Sequence, residues 1–575
     1  MPAIVVVAVV LSAFALGYRY YSSYVADKVY ALDPAFVTPA HEFEDGVDYV
    51  PTNRHVLFGH HFTSVAGAAP IVGPAIAVFW GWGPALAWIT VGTIFAAGVH
   101  DFGALVVSVR NKGRNIGTLT AEVINRRARA LFLVVIFFLL TLVNAVFAVV
   151  ISILFVNNPA AVIPIFVEIP LAIAVGQLIY RRQIGILVPS IVAVVVMYLF
   201  IPVGQLYPVD LAPLSEATGV PVRALWVVIL FVYAFIACRL PVWVLLQPRD
   251  FINAHQLFIA LFVIFGGLAL GGFVIEAPFY NANLPADAPF WFPFLFITIA
   301  CGAVSGFHSL VASGTTAKQL DKEPDARFVG VMGTVGEGSL ALGSVMAVSA
   351  GIGGAAVYAE RYADFGAASA GGLGYFTEGV GRFVTSFGIP AEIGAIFAAV
   401  VVVSFAATTL DTGVRLQRYV IQEMAETAGF RPLARNIWAA TVLAVLVPLA
   451  LALVPGEGDA GFTFGRLWRL FGTTNQLMAG LALAVVATWV VKRRRNPAAP
   501  LVPLIFLLTM TTWALFIQLG EFWAERDYLL VVLDAVIFFL ALWLIVEAAM
   551  AINQAFKDRH GAPAAESDVE ATGRP

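Results

Sequence analysis

One stretch of the sequence decides the fold: residues 53–84 read NRHVLFGHHFTSVAGAAPIVGPAIAVFWGWGP. The stretch is long and apolar enough to cross a bilayer. Gly67, Pro70, Gly73 and Pro74 nevertheless lie where a membrane helix is normally most regular. Because proline has no backbone N–H, each of the two prolines frees the carbonyl four residues before it. Such a break is stable in hydrocarbon only against protein or a wet cavity, so we expect a discontinuous membrane helix here.

Polar groups cluster at the same place. Pro70 frees the carbonyl of Ala66, and imidazoles and hydroxyls come directly before the break. Carbonyls, hydroxyls and imidazoles brought together inside a membrane are typical of a solute or ion site. The alternative interpretation is a kinked helix whose small residues pack against a neighbour. The candidate binding residues in this stretch are His60, His61, Thr63, Ser64, Ala66 and Gly67.

The composition places the chain among polytopic membrane proteins. Of its 575 residues, 60% are hydrophobic and only 12% are charged, and the mean hydropathy is +0.88. Apolar runs of about 20 residues predict an all-α protein and exclude a barrel, whose strands would alternate over about 10 residues. The net charge of −3 does not suggest a nucleic-acid partner. Both cysteines lie in apolar runs, so neither a disulfide framework nor a paired-cysteine metal motif is predicted.

Apolar runs of bilayer length predict about fifteen transmembrane helices. They fall at residues 3–21, 57–81, 84–109, 130–156, 160–180, 184–203, 223–246, 256–276, 291–316, 328–356, 389–412, 437–454, 468–491, 501–520 and 528–551. Loops rich in Lys and Arg alternate with loops poor in them. By the positive-inside rule the N-terminus then lies outside and the C-terminus in the cytoplasm, as expected for the cytoplasmic (inner) membrane. The polar tail 562–575 is expected to be disordered.

The spans suggest an internal repeat. Spans two to six (53–203) and seven to eleven (223–412) form two sets of five helices that enter the membrane in opposite directions. Span seven contains Arg239 and Pro241, so we expect it to be interrupted like span two, and interrupted helices in inverted halves indicate a central transport site. Arg239 is then a candidate for neutralising a carboxylate or binding a substrate carboxylate. Residues 1–30 and 437–551 would be additional helices outside this core.

Span nine carries a second set of polar residues. Gly302 and Gly306 form a GxxxG pattern that predicts a close helix contact. The hydroxyls that follow are candidates for holding Na⁺ together with the freed carbonyl of Ala66. The alternative is that each hydroxyl bonds back to its own helix. The candidate residues are His308, Ser309, Ser313, Thr315 and Thr316.

Three histidines, His60, His61 and His308, lie in or near membrane spans. Histidine carries a proton near physiological pH, so contact between spans two and nine would make a proton relay, an anion site or a metal site. No HExxH or similar spacing supports a metal. The alternative interpretation is that these histidines lie at the interface and bond to lipid headgroups or to the backbone.

Several carboxylates fall inside predicted spans, where charge is costly and usually functional. Glu337 lies in span ten among glycines that allow close approach. Asp411 lies near the end of span eleven, with Arg415 at i+4 as an alternative surface partner. His100 and Asp101 close span three and are candidates for a gate contact or an interfacial cap.

No motif of an ATP-driven pump or an enzyme is present: the sequence contains no GxxxxGK[ST] loop and no HExxH helix. We therefore expect no catalytic residues and no cofactor, and only H⁺ or Na⁺ as a coupling ion.

Five segments resemble one known family. They are NRHVLFGHHFTSVAGAAPIVGPAIAVFWGWGPALAW, GVHDFGALVVSVRNKGRNIG, SGFHSLVASGTTAKQLDKEPDAR, FAATTLDTGVRLQRYVIQE and LWRLFGTTNQLMAGLAL. Together they are similar to the carbon starvation protein CstA family. The resemblance implies a LeuT-like core of five plus five inverted helices. It also implies uptake of peptides during carbon starvation, or of pyruvate with protons as in some relatives. The residues it carries over are His60, His61, Thr63, Ser64, His308, Ser313, Thr315, Thr316 and Asp411.

The sequence thus favours a secondary active transporter for a small nutrient, a peptide or carboxylate, driven by a proton or sodium gradient. A membrane nutrient sensor without net transport is the alternative, although no kinase or helix-turn-helix module is present to signal. A channel is disfavoured because the apolar spans show no ring of repeated charges.

Overall fold

The computed structural model describes residues 1–46, 48–454 and 464–561, so the expected disordered tail lies outside the described residues. Within them the regular secondary structure is helical, with two isolated β-bridges. The first half contains α1 (Ala3–Leu16), α2 (Ser22–Tyr24), α3 (Pro39–Glu42), α4 (Arg54–Val65), α5 (Ala69–Ala77), α6 (Trp82–Val91), α7 (Gly98–Val109), α8 (Ile116–Val123), α9 (Arg126–Asn157), α10 (Val162–Tyr180), α11 (Leu187–Leu206), α12 (Ala212–Thr218) and α13 (Val222–Arg239). The second half contains α14 (Leu246–Gly271), α15 (Trp291–Thr298), α16 (Gly306–Gly314), α17 (Asp325–Ser349), α18 (Ala355–Arg361), α19 (Phe365–Val384), α20 (Ala391–Thr427), α21 (Arg431–Arg435), α22 (Ile437–Ala452), α23 (Phe464–Lys492), α24 (Ala498–Ala524) and α25 (Tyr528–Gly561).

The chain is a multi-pass membrane protein. Twelve helices of the described residues are long and apolar enough to cross a membrane, and the bent pair α4–α5 makes up to thirteen. The other two of the fifteen expected spans are not long continuous helices. Residues 291–316 form the separate helices α15 and α16, and 437–454 form the shorter helix α22.

The expected break in span two is present. α4 ends at Val65, α5 begins at Ala69, and the chain bends by 52° between them. Asn53 caps α4 by accepting a hydrogen bond from the backbone of His55 at 2.9 Å. Pro70 lies in the first turn of α5, where its missing N–H costs no hydrogen bond.

The expected break in span seven was wrong. α13 ends at Arg239 and α14 begins at Leu246, so Pro241 lies in the connection between two complete helices. The carbonyl of Ala237, which we expected to be free, accepts a hydrogen bond from Arg415 at 3.1 Å. A proline after a long apolar run indicates that a helix ends there. It does not indicate whether the helix ends in the middle of the membrane or at its surface.

The second broken span is span nine. α15 and α16 are separated by residues 299–305, and Gly302 in this break has a φ of +96°, which favours glycine. The expected GxxxG helix face was therefore wrong, since Gly302 lies outside any helix and Gly306 is the first residue of α16.

Packing places the two broken spans side by side at the centre. α17 runs along both α4 and α5, whereas α16 packs against α7 and α23. The long helices α9 and α20 pack along each other at one side of this group. Tyr358 and Tyr362, from α18 and the residue after it, donate hydrogen bonds to the carbonyls of Val78 and Ala75, which covers one end of α5.

Candidate transport site

The breaks in the two discontinuous spans touch each other. A Cβ added at Gly73 of α5 would lie 2.2 Å from the carbonyl oxygen of Thr298, where α15 ends. A Cβ added at Gly302 would lie 3.4 Å from the Cα of Pro70. Because glycine has no side chain, the backbones of the two breaks come into direct contact.

A chain of buried titratable groups lies beside these breaks, and we call it the histidine–carboxylate centre (His100, Asp101, His308 and Glu337). The Asp101 carboxylate contacts two imidazoles, His100 Nδ1 at 2.6 Å and His308 Nδ1 at 2.7 Å. His308 Nε2 lies 3.4 Å from Glu337 Oε1. These groups come from α7, α16 and α17, so three helices that surround the breaks meet here.

His61 brings α4 to the same region. Its Nδ1 lies 2.9 Å from Thr316 Oγ1, in the turn that follows α16. A Cβ added at Gly333 of α17 would lie 2.7 Å from the His61 ring, so this glycine leaves the space that the imidazole fills. Gly333 and Gly336 thus admit side chains of α4, and Gly338 admits those of Thr93 and Phe14.

The histidine–carboxylate centre and the neighbouring His61 are buried in this conformation. His61, His100, Asp101 and His308 are all 0% exposed. Of the two roles considered for His100 and Asp101, a gate contact and an interfacial cap, this burial does not fit the interfacial cap. Nε2 of His61 and Nε2 of His100 have no hydrogen-bond partner among the described residues. Nε2 of His308 and Oε1 of Glu337 face each other at 3.4 Å. Buried polar atoms without partners are costly, so the region is suited to receive a further donor, acceptor or proton.

Most of the hydroxyls of span nine follow the alternative interpretation. Ser309, Ser313 and Thr315 donate to carbonyls of their own helix at 2.7, 2.5 and 3.1 Å. A Cβ added at Gly67 would lie 2.7 Å from Thr409 Oγ1, so the α4–α5 break faces α20. These contacts do not support the expected Na⁺ site between Ala66 and span nine.

Of the three histidines singled out from the sequence, His61 and His308 lie in the same region, whereas His60 contacts another helix. His60 Nδ1 lies 3.2 Å from Asp250 of α14, whereas His61 and His308 have the partners given above. Within the described residues, no group of three or more His, Cys, Asp or Glu side chains is arranged to hold a metal ion. Thr63 donates to the carbonyl of Gly59 at 2.9 Å, and Ser64 is buried beside the break.

Asp411 and Arg239 have other partners than expected. Asp411 accepts from Arg249 at 3.0 Å and from Tyr233 at 2.7 Å, so the alternative surface pair with Arg415 is not formed. Arg239 lies 4.0 Å from the ring of Trp438 in a cation–π contact and does not reach the breaks. The arginine that pairs with Asp411 is Arg249 of α14, which is 1% exposed and was not among the residues singled out from the sequence.

Two amides of α23, not identified as functional from the sequence, hold the α15–α16 break in place. Asn475 accepts from the backbone N–H of Phe307 at 3.1 Å and donates to Ser305 Oγ at 3.1 Å. Gln476 donates to the carbonyl of Phe296 at 2.5 Å. These bonds satisfy backbone groups that the missing turn of helix leaves free. The signal in the sequence was the polar run TTNQ inside an apolar span.

Comparisons of the sequence with known families and proteins find relatives over most of the chain. The family model described as carbon starvation protein CstA matches residues 2–360 and 355–514. The peptide transporter CstA of Campylobacter jejuni subsp. jejuni serotype O:2 is 32% identical over 89% of this chain and 79% of its own length. The pyruvate/proton symporter BtsT of Escherichia coli strain K12 is 31% identical over 88% of this chain and 80% of its own length.

A crystal structure of an Eremococcus coleocola manganese transporter is similar with a TM-score of 0.48 and 12% identity, over 89% of this chain and 99% of that one. The family match covers most of the sequence and includes both broken spans and the histidine–carboxylate centre. This chain therefore belongs to the carbon starvation protein CstA family.

Proposed function

We propose that the protein is a secondary active transporter that imports a small carboxylate-bearing nutrient, pyruvate or a short peptide, with protons. It resides in the cytoplasmic membrane, with its N-terminus outside and its C-terminus in the cytoplasm. The names of two similar relatives, a peptide transporter and a pyruvate/proton symporter, support both the substrate class and the ion. The family description supports a role when carbon is scarce.

The observation that carries the proposal is the contact between two discontinuous spans beside a buried titratable centre. His61 lies on α4 just before one break, and His308 lies on α16 just after the other. Half-helix ends present free carbonyls and N–H groups at mid-membrane, where a solute exchanges its hydration for protein contacts. Such a site serves transport because a substrate reaches it from either side when the half-helices move.

The histidine–carboxylate centre is suited to carry the coupling proton. Asp101 bridges two imidazoles, so a proton on His308 is stabilised by Asp101 on one side and by Glu337 on the other. Neutral His308 would leave both carboxylates without a neighbouring charge, which is costly in hydrocarbon. Binding and release of the proton therefore change the forces that hold α7, α16 and α17 together.

We further propose that the inverted repeat pairs α4–α5 with α15–α16. The packing is reciprocal: α4–α5 lies along α17, the helix that follows the second break, and α16 lies along α7, which follows the first. The two repeats then begin at residues 54 and 291, in place of 53 and 223 as expected from the sequence. Alternating access would arise from rocking of this central group against α9 and α20.

The test is uptake into proteoliposomes of labelled pyruvate, compared with a labelled dipeptide, under separate pH and Na⁺ gradients. We expect uptake that follows the pH gradient, and background uptake for His308→Ala. His255→Ala is the matched control, because His255 also lies in a membrane helix but bonds to the carbonyl of Phe251 in its own helix. Unchanged uptake in His308→Ala, or uptake that responds only to Na⁺, would contradict the proposed coupling.

A further inference from the structure

A second buried network surrounds Arg249 on α14, which is 1% exposed. Its guanidinium contacts two carboxylates, Glu168 of α10 at 3.0 Å and Asp411 of α20 at 3.0 Å. Tyr233 of α13 donates to Asp411 and accepts from Arg249, both at 2.7 Å. Four helices outside the histidine–carboxylate centre are thus joined through one arginine.

The network continues to the broken span through the next residue of α14. Asp250 is 2% exposed, and its Oδ2 lies 3.2 Å from His60 Nδ1 on α4. We call the six side chains Glu168, Arg249, Asp250, Asp411, Tyr233 and His60 the inner acid cluster. It ties the half-helix α4 to α10, α13 and α20, so its charge state acts on the position of α4.

The inner acid cluster holds more acidic than basic groups. Three buried carboxylates face one guanidinium, and even a protonated His60 leaves one negative charge unbalanced. The charged or titratable groups presented by the packed helices are His60 from α4, Glu168 from α10, Tyr198 from α11, Tyr233 from α13, and Asp411, Arg415 and Arg418 from α20. Arg415 and Arg418 donate hydrogen bonds to carbonyls at the end of α13. Glu337 of α17 contacts His308, and Glu378 of α19 contacts Arg361.

Two carboxylate oxygens of the inner acid cluster have no donor among the residues that the structure describes. They are Oδ1 of Asp250 and Oδ1 of Asp411, on side chains that are 2% and 3% exposed. An ionised carboxylate oxygen that is buried without a donor is costly. A bound proton removes the excess charge and supplies the missing donor at the same time.

The bound species is a proton and not a metal ion. The Arg249 guanidinium already occupies the space between Glu168 and Asp411, and its positive charge repels a second cation. Protons need no coordination shell and bind to a single carboxylate oxygen. We propose that the inner acid cluster is a second proton-binding site. Its coupling to transport rests on the proposed transport function. The cluster holds its proton while His60 stays in contact with Asp250.

The first experiment needs no transport. Difference infrared spectra of the purified protein, recorded between mildly acidic and alkaline pH, report the carbonyl stretch of a protonated carboxylic acid. We make every measurement in an Asp534→Asn background, because Asp534 is also buried and neither of its carboxylate oxygens has a partner among the described residues. In that background we expect this band with the cluster intact and its loss in Asp250→Asn or Asp411→Asn. Glu521→Gln is the control, because Glu521 is paired with Arg469 at 2.5 Å on α23 and should not contribute to the band. Absence of the band from the Asp534→Asn protein with the cluster intact, or its persistence in both cluster variants, would overturn the proposal.

The second experiment uses proteoliposomes. We expect Asp250→Asn to keep substrate counterflow at equal pH but to move one proton fewer per substrate, as measured from reversal potentials. Asp411→Asn serves as the second variant if Asp250→Asn is not obtained folded. The assignment would be refuted if Asp250→Asn moved as many protons per substrate as the wild type, or if the variant lost Na⁺-dependent uptake instead. Wild-type liposomes without any uptake would refute the proposed function, whereas the infrared result would still decide whether the cluster binds a proton.

Discussion

Replacement of Gly73 by alanine tests the contact between the two breaks directly. The added Cβ would lie 2.2 Å from the Thr298 carbonyl oxygen, whereas real Cβ atoms essentially never come closer than 3.0 Å to another heavy atom. The backbones must therefore separate by about 0.8 Å or more at the point where α5 meets the end of α15. The neighbour is backbone and not a flexible side chain, so no rotamer change relieves the contact.

The size of the effect follows from that displacement. Overpacking a tightly packed interior costs about 1–3 kcal/mol. A misplacement of about 1 Å at a functional site costs on the order of 100-fold in rate. We therefore expect Gly73→Ala to lower uptake far more than it lowers the yield of folded protein.

The assay is initial-rate uptake of labelled pyruvate and dipeptide in proteoliposomes, with the unfolding midpoint of the purified protein measured in parallel. Gly59→Ala is the matched control in the same broken span, because its Cβ would lie 3.7 Å from the Ala254 Cβ, an ordinary contact. Alanine also favours helix by about 1 kcal/mol over glycine, so this control should be at least as stable as the wild type. Equal rates, KM values and unfolding midpoints for Gly73→Ala and the wild type would refute the argument.

Three further substitutions test other contacts. Asn475→Ala leaves the N–H of Phe307 without its partner, so we expect a loss of about 1–3 kcal/mol in stability, seen as a lower unfolding midpoint, together with lower uptake. Arg249→Met leaves two buried carboxylates unpaired and should cost about 3–5 kcal/mol of stability. We expect a loss of folded, monodisperse protein, and neutralising both carboxylates in the same variant should restore the yield of folded protein. Arg239→Gln removes only a cation–π contact with Trp438, worth about 0.5–1 kcal/mol, and full retention of uptake is expected, since a loss would mean that this arginine reaches the site after all.

The features that could be predicted from the sequence are those set by local chemistry. Hydropathy alone identifies a membrane protein, because the cost of burying polar backbone in lipid leaves few structures open to an apolar chain. The break near Gly67 and Pro70 was also predicted, since proline cannot continue the hydrogen bonding of a helix wherever it falls. The same cost of burial picked out His308, Asp101 and Glu337 as residues of interest, although their partners were not predicted.

The second broken span shows why the rest was not predictable. Pro241 and Gly302 both interrupt an apolar run, but one lies between two complete helices and the other in the middle of a span. Local sequence reports that a helix stops and not how deep in the membrane it stops. The amides of α23 were missed for a related reason, because their backbone partners on either side of the α15–α16 break are far away in the sequence: Asn475 bonds to Phe307 across 168 positions.

By itself, then, the sequence determined the class of protein, the first break and the set of titratable residues that the membrane makes costly. Tertiary structure alone decided which span is the second broken one, and that His60 contacts a carboxylate whereas His61 contacts a hydroxyl. It also decided that Arg249, and not Arg239, pairs with buried carboxylates. The physical reason is that desolvation acts on each residue separately, whereas pairing depends on which helices pack side by side. That packing is settled by contacts between residues far apart in the chain.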